Sequence, residues 1–89
     1  MKLLKFGAEW CGPCKTLEDY LDSVVKGNVT IERIDIDSTN DPRQQRLMKS
    51  FGIRGVPTLV MVDEDEEMIS IKAGLMSKGG LEEWLHSMI

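Results

Sequence analysis

The sequence has few residues of the kinds that most often bind metals. It holds two cysteines and one histidine, and aromatic residues make up 6% of its 89 positions. A structural zinc site needs four protein ligands and a catalytic one needs three, so the cysteines would require His86 and carboxylates to complete a site. The sequence therefore gives little support for a zinc site, and we expect no metal ligands.

Long apolar runs and an excess of positive charge are also missing. The apolar stretch near the N-terminus, residues 3–4, is flanked by lysines, whereas a membrane-spanning helix needs about 20 apolar residues. The net charge is -4 and the basic residues are scattered among acidic ones, which disfavours binding to a phosphate backbone. We expect no membrane or nucleic-acid partner and a cytoplasmic location.

The length and composition are those of one small globular unit. Hydrophobic residues make up 42% of the chain and charged residues 29%, which is ordinary for a folded protein and unlike a disordered one. We expect a single domain over residues 1–89 that acts as a monomer.

Apolar periodicity predicts seven elements in the order βαβαββα. Strands are expected at residues 2–7, 29–36, 57–62 and 68–73, and helices at 13–26, at 42–51 and after Ser77. Stop and capping signals are Gly27, Asn28, Ser38, Thr39, Asn40 and Asp41. The five acidic residues 63–67 are interpreted as a solvated hairpin turn. This order predicts an α/β fold, a four-stranded mixed sheet with helices on both faces and its first two strands parallel.

The two cysteines, Cys11 and Cys14, are separated only by Gly12 and Pro13. A structural disulfide gains most when it closes a long loop, and a loop this short gains least in the chain-entropy account. Inert thiols remain an alternative, but the spacing favours a chemically active pair.

The predicted elements place Cys11 at the carboxyl end of a strand and at the start of a helix. Unpaired N–H groups and the helix dipole favour a thiolate there, so we expect Cys11 to be the nucleophile. Cys14 can then resolve the mixed disulfide that Cys11 forms. Gly12 lets the intervening turn approach a partner closely and Pro13 fixes its φ, so the turn is tight and stiff, and we expect both residues to contact the substrate.

Three blocks of sequence resemble the thioredoxin family. They are residues 6–15 (FGAEWCGPCK), residues 51–58 (FGIRGVPT), and residues 72–74 with 77–79 (KAG and SKG). The resemblance implies a minimal thioredoxin fold and a protein-disulfide reductase without a bound cofactor, its redox group being the Cys11–Cys14 disulfide. It also implies recharging by thioredoxin reductase and electron donation to targets such as ribonucleotide reductase.

The same resemblance implies roles for residues around the cysteines. Pro57 is expected to be cis and to lie beside them, and the backbone of Val56 is expected to pair with a substrate segment. The apolar platform for that segment would consist of Trp10, Val56, Pro57, Ala73 and Gly74. Glu9 is adjacent to the motif and could tune it weakly.

The chain departs from the family in two respects, of which the first is size. By the resemblance it begins at what would be the second strand of the family, so that in size it is closer to a glutaredoxin. However, the paired glycines and acidic residue with which a glutaredoxin would hold glutathione are not at Gly74, and Gly79 and Gly80 fall at a helix start. A glutathione-dependent glutaredoxin and a non-catalytic thioredoxin-like subunit remain the alternatives.

The second departure is Lys5, which stands where the family carries a buried aspartate, with Arg33 at the matching position of the next strand. Our preferred interpretation is that the Lys5 ammonium reaches solvent along its flexible stem. If it instead lies near the thiols, it would favour a thiolate. The potential would then be less negative than a thioredoxin value of about −270 mV, by ~30 mV or more.

Overall fold

The computed structural model of the chain describes residues 1–25, 29–37 and 40–88. Its elements follow the predicted order: β1 Lys2–Gly7, α1 Gly12–Val24, β2 Thr30–Asp35, α2 Pro42–Phe51, β3 Thr58–Val62, β4 Met68–Ala73 and α3 Lys78–His86. The prediction of an α/β fold with four strands and three helices is therefore confirmed.

The four strands form one mixed sheet in the order β2-β1-β3-β4. β1 and β2 are parallel, as predicted, while β3 is antiparallel to both β1 and β4. Thr58 at the start of β3 lies opposite Phe6 near the end of β1, and Ala73 at the end of β4 lies opposite Thr58. The ends of β1, β2 and β4 and the start of β3 therefore share one edge of the sheet, which we call the site edge.

The sheet buries both of its faces because the side chains of β1 alternate between two apolar clusters. Leu3 packs on the face covered by α1 and α3, whereas Leu4 and Phe6 pack on the face covered by α2. On the first face the helices contribute Leu17, Leu21, Leu81, Trp84 and Leu85. We call these faces the α1 face and the α2 face, and Lys5 lies on the α1 face by the same alternation.

Helix boundaries follow from local capping. α1 ends at Val24, two residues earlier than predicted, with Val25 as an extended C-cap; residues 26–28, which carry the predicted stop, lie outside the described residues. α2 begins after Asp41, whose carboxylate accepts a hydrogen bond from the Arg43 N–H at 3.0 Å. Its C-cap is Gly52, with φ of 64°. Of the other predicted caps, residues 38–39 are likewise outside the described part.

The start of α3 is capped as predicted. The Ser77 Oγ accepts a hydrogen bond from the Gly80 N–H at 3.0 Å. A Cβ added at Gly80 would lie 3.1 Å from that Oγ. Gly80 therefore lets the capping hydroxyl approach the backbone closely.

The acidic segment 63–67 forms the predicted hairpin turn, with the Asp63 carboxylate accepting from the N–H groups of Asp65 and Glu67. The interpretation of the segment as merely solvated is wrong for Glu66. Its carboxylate lies 2.7 Å from the Arg43 guanidinium, because the turn directs this side chain toward the first turn of α2.

The contact between Glu66 and Arg43 belongs to a larger group of charges. Arg43 also pairs with Glu32 of β2, which Lys2 of β1 approaches to 3.2 Å. By strand alternation Lys2 and Glu32 lie on the α2 face. We call Lys2, Glu32, Arg43 and Glu66 the Arg43 cluster.

Candidate active site

Both cysteines lie where β1 passes into α1, at the site edge. Cys11 is the N-cap of α1, and its Sγ accepts a hydrogen bond from the Cys14 N–H at 3.2 Å. The two residues form a disulfide with their Cα atoms 5.3 Å apart, and they are 4% and 2% exposed. A sulfur at a helix N-terminus is stabilised as an anion by the free N–H groups and the dipole.

Gly12 and Pro13 form the exposed first turn of α1. Pro13 lacks an N–H at a position where the helix would leave one unpaired. A Cβ added at Gly12 would meet nothing within 4 Å. The turn between the cysteines therefore faces open space rather than the rest of the fold.

Below the disulfide, Gly7 separates Cys14 from Lys5. A Cβ added at Gly7 would lie 3.4 Å from the Cys14 Sγ and 3.5 Å from the Lys5 Nζ. The ammonium is therefore at most about 7 Å from the sulfur, close enough for its charge to act on a thiolate formed there when the disulfide is reduced.

The preferred interpretation of Lys5 as a solvent-reaching lysine is wrong. Only 10% of its side chain is exposed, and its Nζ lies 2.8 Å from the Glu18 carboxylate. A buried ammonium needs a counter-charge, and α1 supplies one. The remaining alternative, a lysine near the thiols, is the arrangement that the structure has.

Glu18 is the residue that sequence reasoning missed. It pairs with Lys5 through one carboxylate oxygen and with Arg33 of β2 through the other, so the two cations are not left without an anion. We call these three residues the Glu18 cluster. A signal was available, since Glu18 follows Cys14 by four positions and therefore shares its helix face.

The charges around Glu18 also affect its protonation. Burial raises the pKa of its carboxyl, but hydrogen bonds from Arg33 and Lys5 and the two positive charges outweigh burial and hold the pKa below its ordinary value of 4.5. Glu18 is therefore an anion at neutral pH, and Lys5 retains its counter-charge there.

A cavity of about 560 Å³ adjoins the Glu18 cluster and reaches Cys14. It lies between the end of β1, the first turns of α1 and the end of β2. Its lining includes Lys5, Gly7, Glu9, Cys14, Lys15, Glu18, Asp19, Arg33 and Asp35. Several of these residues are exposed, so the cavity connects the buried side of Cys14 with solvent. The predicted tuning residues Lys5 and Glu9 both line it.

On the other side of the site edge, Val56–Pro57 is a cis peptide bond, as the resemblance implied. The Pro57 carbonyl accepts a hydrogen bond from the Gly74 N–H at 2.8 Å. Gly74 has φ of 85°, a left-handed conformation that favours glycine. This bond ties the end of β4 to the start of β3.

Four of the predicted substrate-contacting residues line one groove. Val56, Pro57, Ala73 and Gly74 surround a cavity of about 420 Å³. Its other lining residues are Gly52, Ile53, Arg54, Gly55, Thr58 and Ile71. The groove is therefore mainly apolar, with Arg54 as its one charged lining residue.

The remaining predicted contact residues, Trp10, Gly12 and Pro13, do not line that groove. Trp10 is 68% exposed, and its indole Nε1 donates a hydrogen bond to the Asp37 carboxylate at 2.8 Å. Sequence reasoning missed Asp37, although its place just after β2 puts it at the site edge with Trp10. This bond orients the exposed ring beside the cysteines.

Among the described residues the structure offers neither a metal site nor a membrane-spanning helix. In the part of the chain that the structure describes, no group of three or more histidine, cysteine or acidic residues is arranged to hold a metal ion. Within residues 1–25, 29–37 and 40–88, no helix has the length and apolar character needed to cross a bilayer.

A disulfide between the first turn of a helix and its N-cap can take up two electrons and release them by thiol exchange. Together with a cis-proline at the same edge of a four-stranded sheet of this order, such a disulfide is typical of the class of thiol–disulfide oxidoreductases. The thioredoxin family model matches residues 1–87. The chain belongs to the thioredoxin family and is a protein-disulfide reductase.

Similar proteins span almost the whole chain. Thioredoxin of Rickettsia felis is 33% identical over 98% of this chain and 80% of its own length, and thioredoxin of Pseudomonas aeruginosa is 34% identical over 98% and 78%. Among solved structures, a mutant thioredoxin from Halobacterium salinarum NRC-1 has a TM-score of 0.78 and 33% identity, covering 97% of this chain and 72% of that one. These similarities favour neither the glutaredoxin nor the non-catalytic alternative.

Proposed function

We propose that the chain is a thioredoxin-type electron donor in which Cys11 is the nucleophile and Cys14 the resolving thiol. The observation that carries this assignment is the position of Cys11 as the N-cap of α1, where its sulfur accepts a hydrogen bond from the Cys14 N–H. That N–H and the helix dipole stabilise a thiolate at Cys11 before attack.

The reaction then follows from thiol exchange. The Cys11 thiolate attacks one sulfur of a substrate disulfide, and the other substrate sulfur leaves as a thiolate and takes up a proton. The Cys14 thiolate next attacks the Cys11 sulfur and releases the second substrate thiol. The substrate disulfide gains two electrons, and the protein is left with the Cys11–Cys14 disulfide.

The substrate segment lies in the groove beside Pro57. Two features support this placement. The groove has an apolar lining that includes Val56, Pro57, Ala73 and Gly74. In addition, the Val56 backbone, just before β3 at the site edge, can pair with an extended segment. Trp10, Gly12 and Pro13 cover the cysteine side of the same segment. Glu9 acts on the site only weakly, because it is exposed.

The finer assignments rest on family membership. The protein is recharged by thioredoxin reductase, donates electrons to targets such as ribonucleotide reductase, and works as a cytoplasmic monomer in electron transport. It requires no bound cofactor, because the Cys11–Cys14 disulfide is itself the redox group.

Insulin disulfide reduction tests these assignments. The wild type, Cys11→Ser and Cys14→Ser would be driven by NADPH with thioredoxin reductase, and in parallel by NADPH with glutathione and glutathione reductase. We expect turnover only with thioredoxin reductase, none with Cys11→Ser, and a trapped mixed disulfide with Cys14→Ser. Turnover with glutathione alone would instead indicate a glutaredoxin. If insulin were not reduced with either system, nor with dithiothreitol as the reductant, the non-catalytic binding subunit would be the remaining interpretation.

A further inference from the structure

Beside the thiol that resolves the mixed disulfide lies a buried cation. We propose that the Lys5 ammonium stabilises the Cys14 thiolate in the resolving step, and that Glu18 is a positioning residue that holds this ammonium and offsets part of its charge. The proposal rests on the assignment of Cys14 as the resolving thiol.

The Lys5 ammonium lies near two groups that matter for this proposal, the Cys14 sulfur and the Glu18 carboxylate. Gly7 has no side chain, and the space that its Cβ would occupy is bordered by the Cys14 Sγ at 3.4 Å and the Lys5 Nζ at 3.5 Å. In the described residues the only ion pair of Lys5 is with Glu18. A thiolate formed at Cys14 is therefore a second anion within reach of the same ammonium.

Burial makes this interaction stronger than one at the surface. Cys14 is 2% exposed and the Lys5 side chain 10%. A thiol in such a place resists ionisation unless a charge or a hydrogen bond compensates for the lost water. Lys5 supplies that charge from β1.

Other charged groups face the same cavity from each element around it. They are Glu9 from the loop after β1, Lys15 and Asp19 from α1, and Arg33 and Asp35 from β2. All five are exposed, so solvent and salt screen their effect on Cys14. Lys5 and Glu18 are the two charged lining residues that are not exposed, and we expect them to dominate.

Glu18 is poorly suited to take the proton from Cys14 itself. Its carboxyl is held ionised by Arg33 and Lys5 at a pKa below the ordinary value, which makes it a weak base. The Cys14 proton leaves through the cavity to solvent, the thiolate attacks the Cys11 sulfur, and the bond between Cys11 and the substrate sulfur breaks. The departing substrate thiolate takes a proton from solvent, so protons and electrons balance.

The test titrates Cys14 alone, in the full chain with Cys11→Ser. This background represents a Cys11 that is blocked in a mixed disulfide and contributes no thiolate of its own. With 13C-labelled cysteine, the Cβ chemical shift reports the ionisation of Cys14 as the pH rises. Three variants are compared in this background: Lys5→Met, Glu18→Gln and, as a matched control on the cavity rim, Lys15→Met.

We expect shifts of opposite sign. Lys5→Met raises the Cys14 pKa by roughly half a unit to one unit, because the stabilising cation is lost. Glu18→Gln lowers the Cys14 pKa, since the charge of Lys5 is then no longer offset. Lys15→Met changes it by less than about 0.3 unit, because that lysine is exposed and screened.

A merely structural role for the cluster would move both variants in the same direction through loosened packing, and this would overturn the proposal, as would an unchanged pKa in Lys5→Met. Amide chemical shifts of each variant show whether the fold is kept. The titration needs no turnover, so its result is independent of whether insulin reduction succeeds.

Discussion

The two faces of the sheet each carry a cluster of charges, and the clusters are built alike. In the Glu18 cluster one carboxylate bridges two cations, and in the Arg43 cluster one guanidinium bridges two carboxylates. Each cluster joins a helix to β2, through Glu18 of α1 and Arg33 in one case and through Arg43 of α2 and Glu32 in the other. They differ in their surroundings, since the first reaches the cysteine pair and the second does not line the cavity beside it.

That difference teaches what decides the role of an ion pair in this fold. Lys5 is buried at most about 7 Å from the Cys14 sulfur, so its loss would remove a buried cation and leave Glu18 with Arg33 alone. Lys2, the corresponding lysine on the α2 face, is 37% exposed along its side chain, and water can replace its partner. The same residue type on the same strand thus stands in two different environments.

The largest expected effect comes from reversing the charge of each lysine. Lys5→Glu places a second carboxylate against Glu18 in a buried position, and we expect a loss of about 3–5 kcal/mol in the free energy of unfolding. Lys2→Glu, the matched change on the α2 face, should lose less than about 1 kcal/mol. Urea unfolding of both variants measures the two losses, and equal losses would erase the contrast between the faces.

A smaller effect is expected on the redox potential. At a pH above the pKa values of both thiols, Lys5→Met should make the potential about 15–30 mV more negative, because the reduced dithiolate loses a stabilising cation and 30 mV corresponds to about 1.4 kcal/mol. Arg43→Met is the control and should leave the potential unchanged. Equilibration of each variant with a dithiothreitol buffer measures it. A potential that is the same in Lys5→Met and wild type would contradict the role given to Lys5.

The smallest effect concerns acid stability. Burial raises the pKa of Glu18, but hydrogen bonds and charges from Arg33 and Lys5 outweigh it and lower the pKa. A hydrogen bond from Arg43 lowers the pKa of Glu66. Because both pKa values are depressed in the folded state, the stability that they provide is present above the ordinary value of 4.5 and is lost as the pH falls through the folded values.

We therefore expect wild type to lose stability below about pH 4.5 more steeply than either Glu18→Gln or Glu66→Gln. The pH dependence of stability should be reduced more by Glu18→Gln than by Glu66→Gln, because the Glu18 carboxyl is the more buried of the two. Thermal unfolding between about pH 3 and 6 measures these slopes. If Glu66→Gln reduced the pH dependence of stability more than Glu18→Gln, the difference in exposure would not explain the behaviour of the two clusters.

Much of the fold was predictable from local patterns. The strand predicted at residues 2–7 is confirmed, and its apolar side chains Leu3, Leu4 and Phe6 are buried on the two faces of the sheet. Asp41 and Ser77 marked helix starts because their side chains cap backbone N–H groups nearby in sequence. Such signals involve residues a few positions apart, which is why they survive without knowledge of the tertiary structure.

Contacts between distant segments were harder to predict. Lys5 was expected to reach solvent along its flexible stem, but its counter-ion Glu18 comes from a helix, 13 positions away in sequence. Asp37 lies 27 positions from Trp10, and neither residue indicates the other. Glu66 looked like one of five equivalent acidic turn residues until the hairpin and α2 came together.

The sequence by itself determined the element order, the parallel pairing of the first two strands and the cysteine pair at a helix start, because periodicity, capping and spacing are properties of neighbouring residues. Only the tertiary structure decided which charges meet. Packing α1 on β1 and β2 brought Glu18 between Lys5 and Arg33, and the absent side chain of Gly7 left Lys5 facing Cys14. The environment of Cys14 is therefore a product of packing, since an ion pair between residues far apart in sequence forms only where their two chain segments are held together.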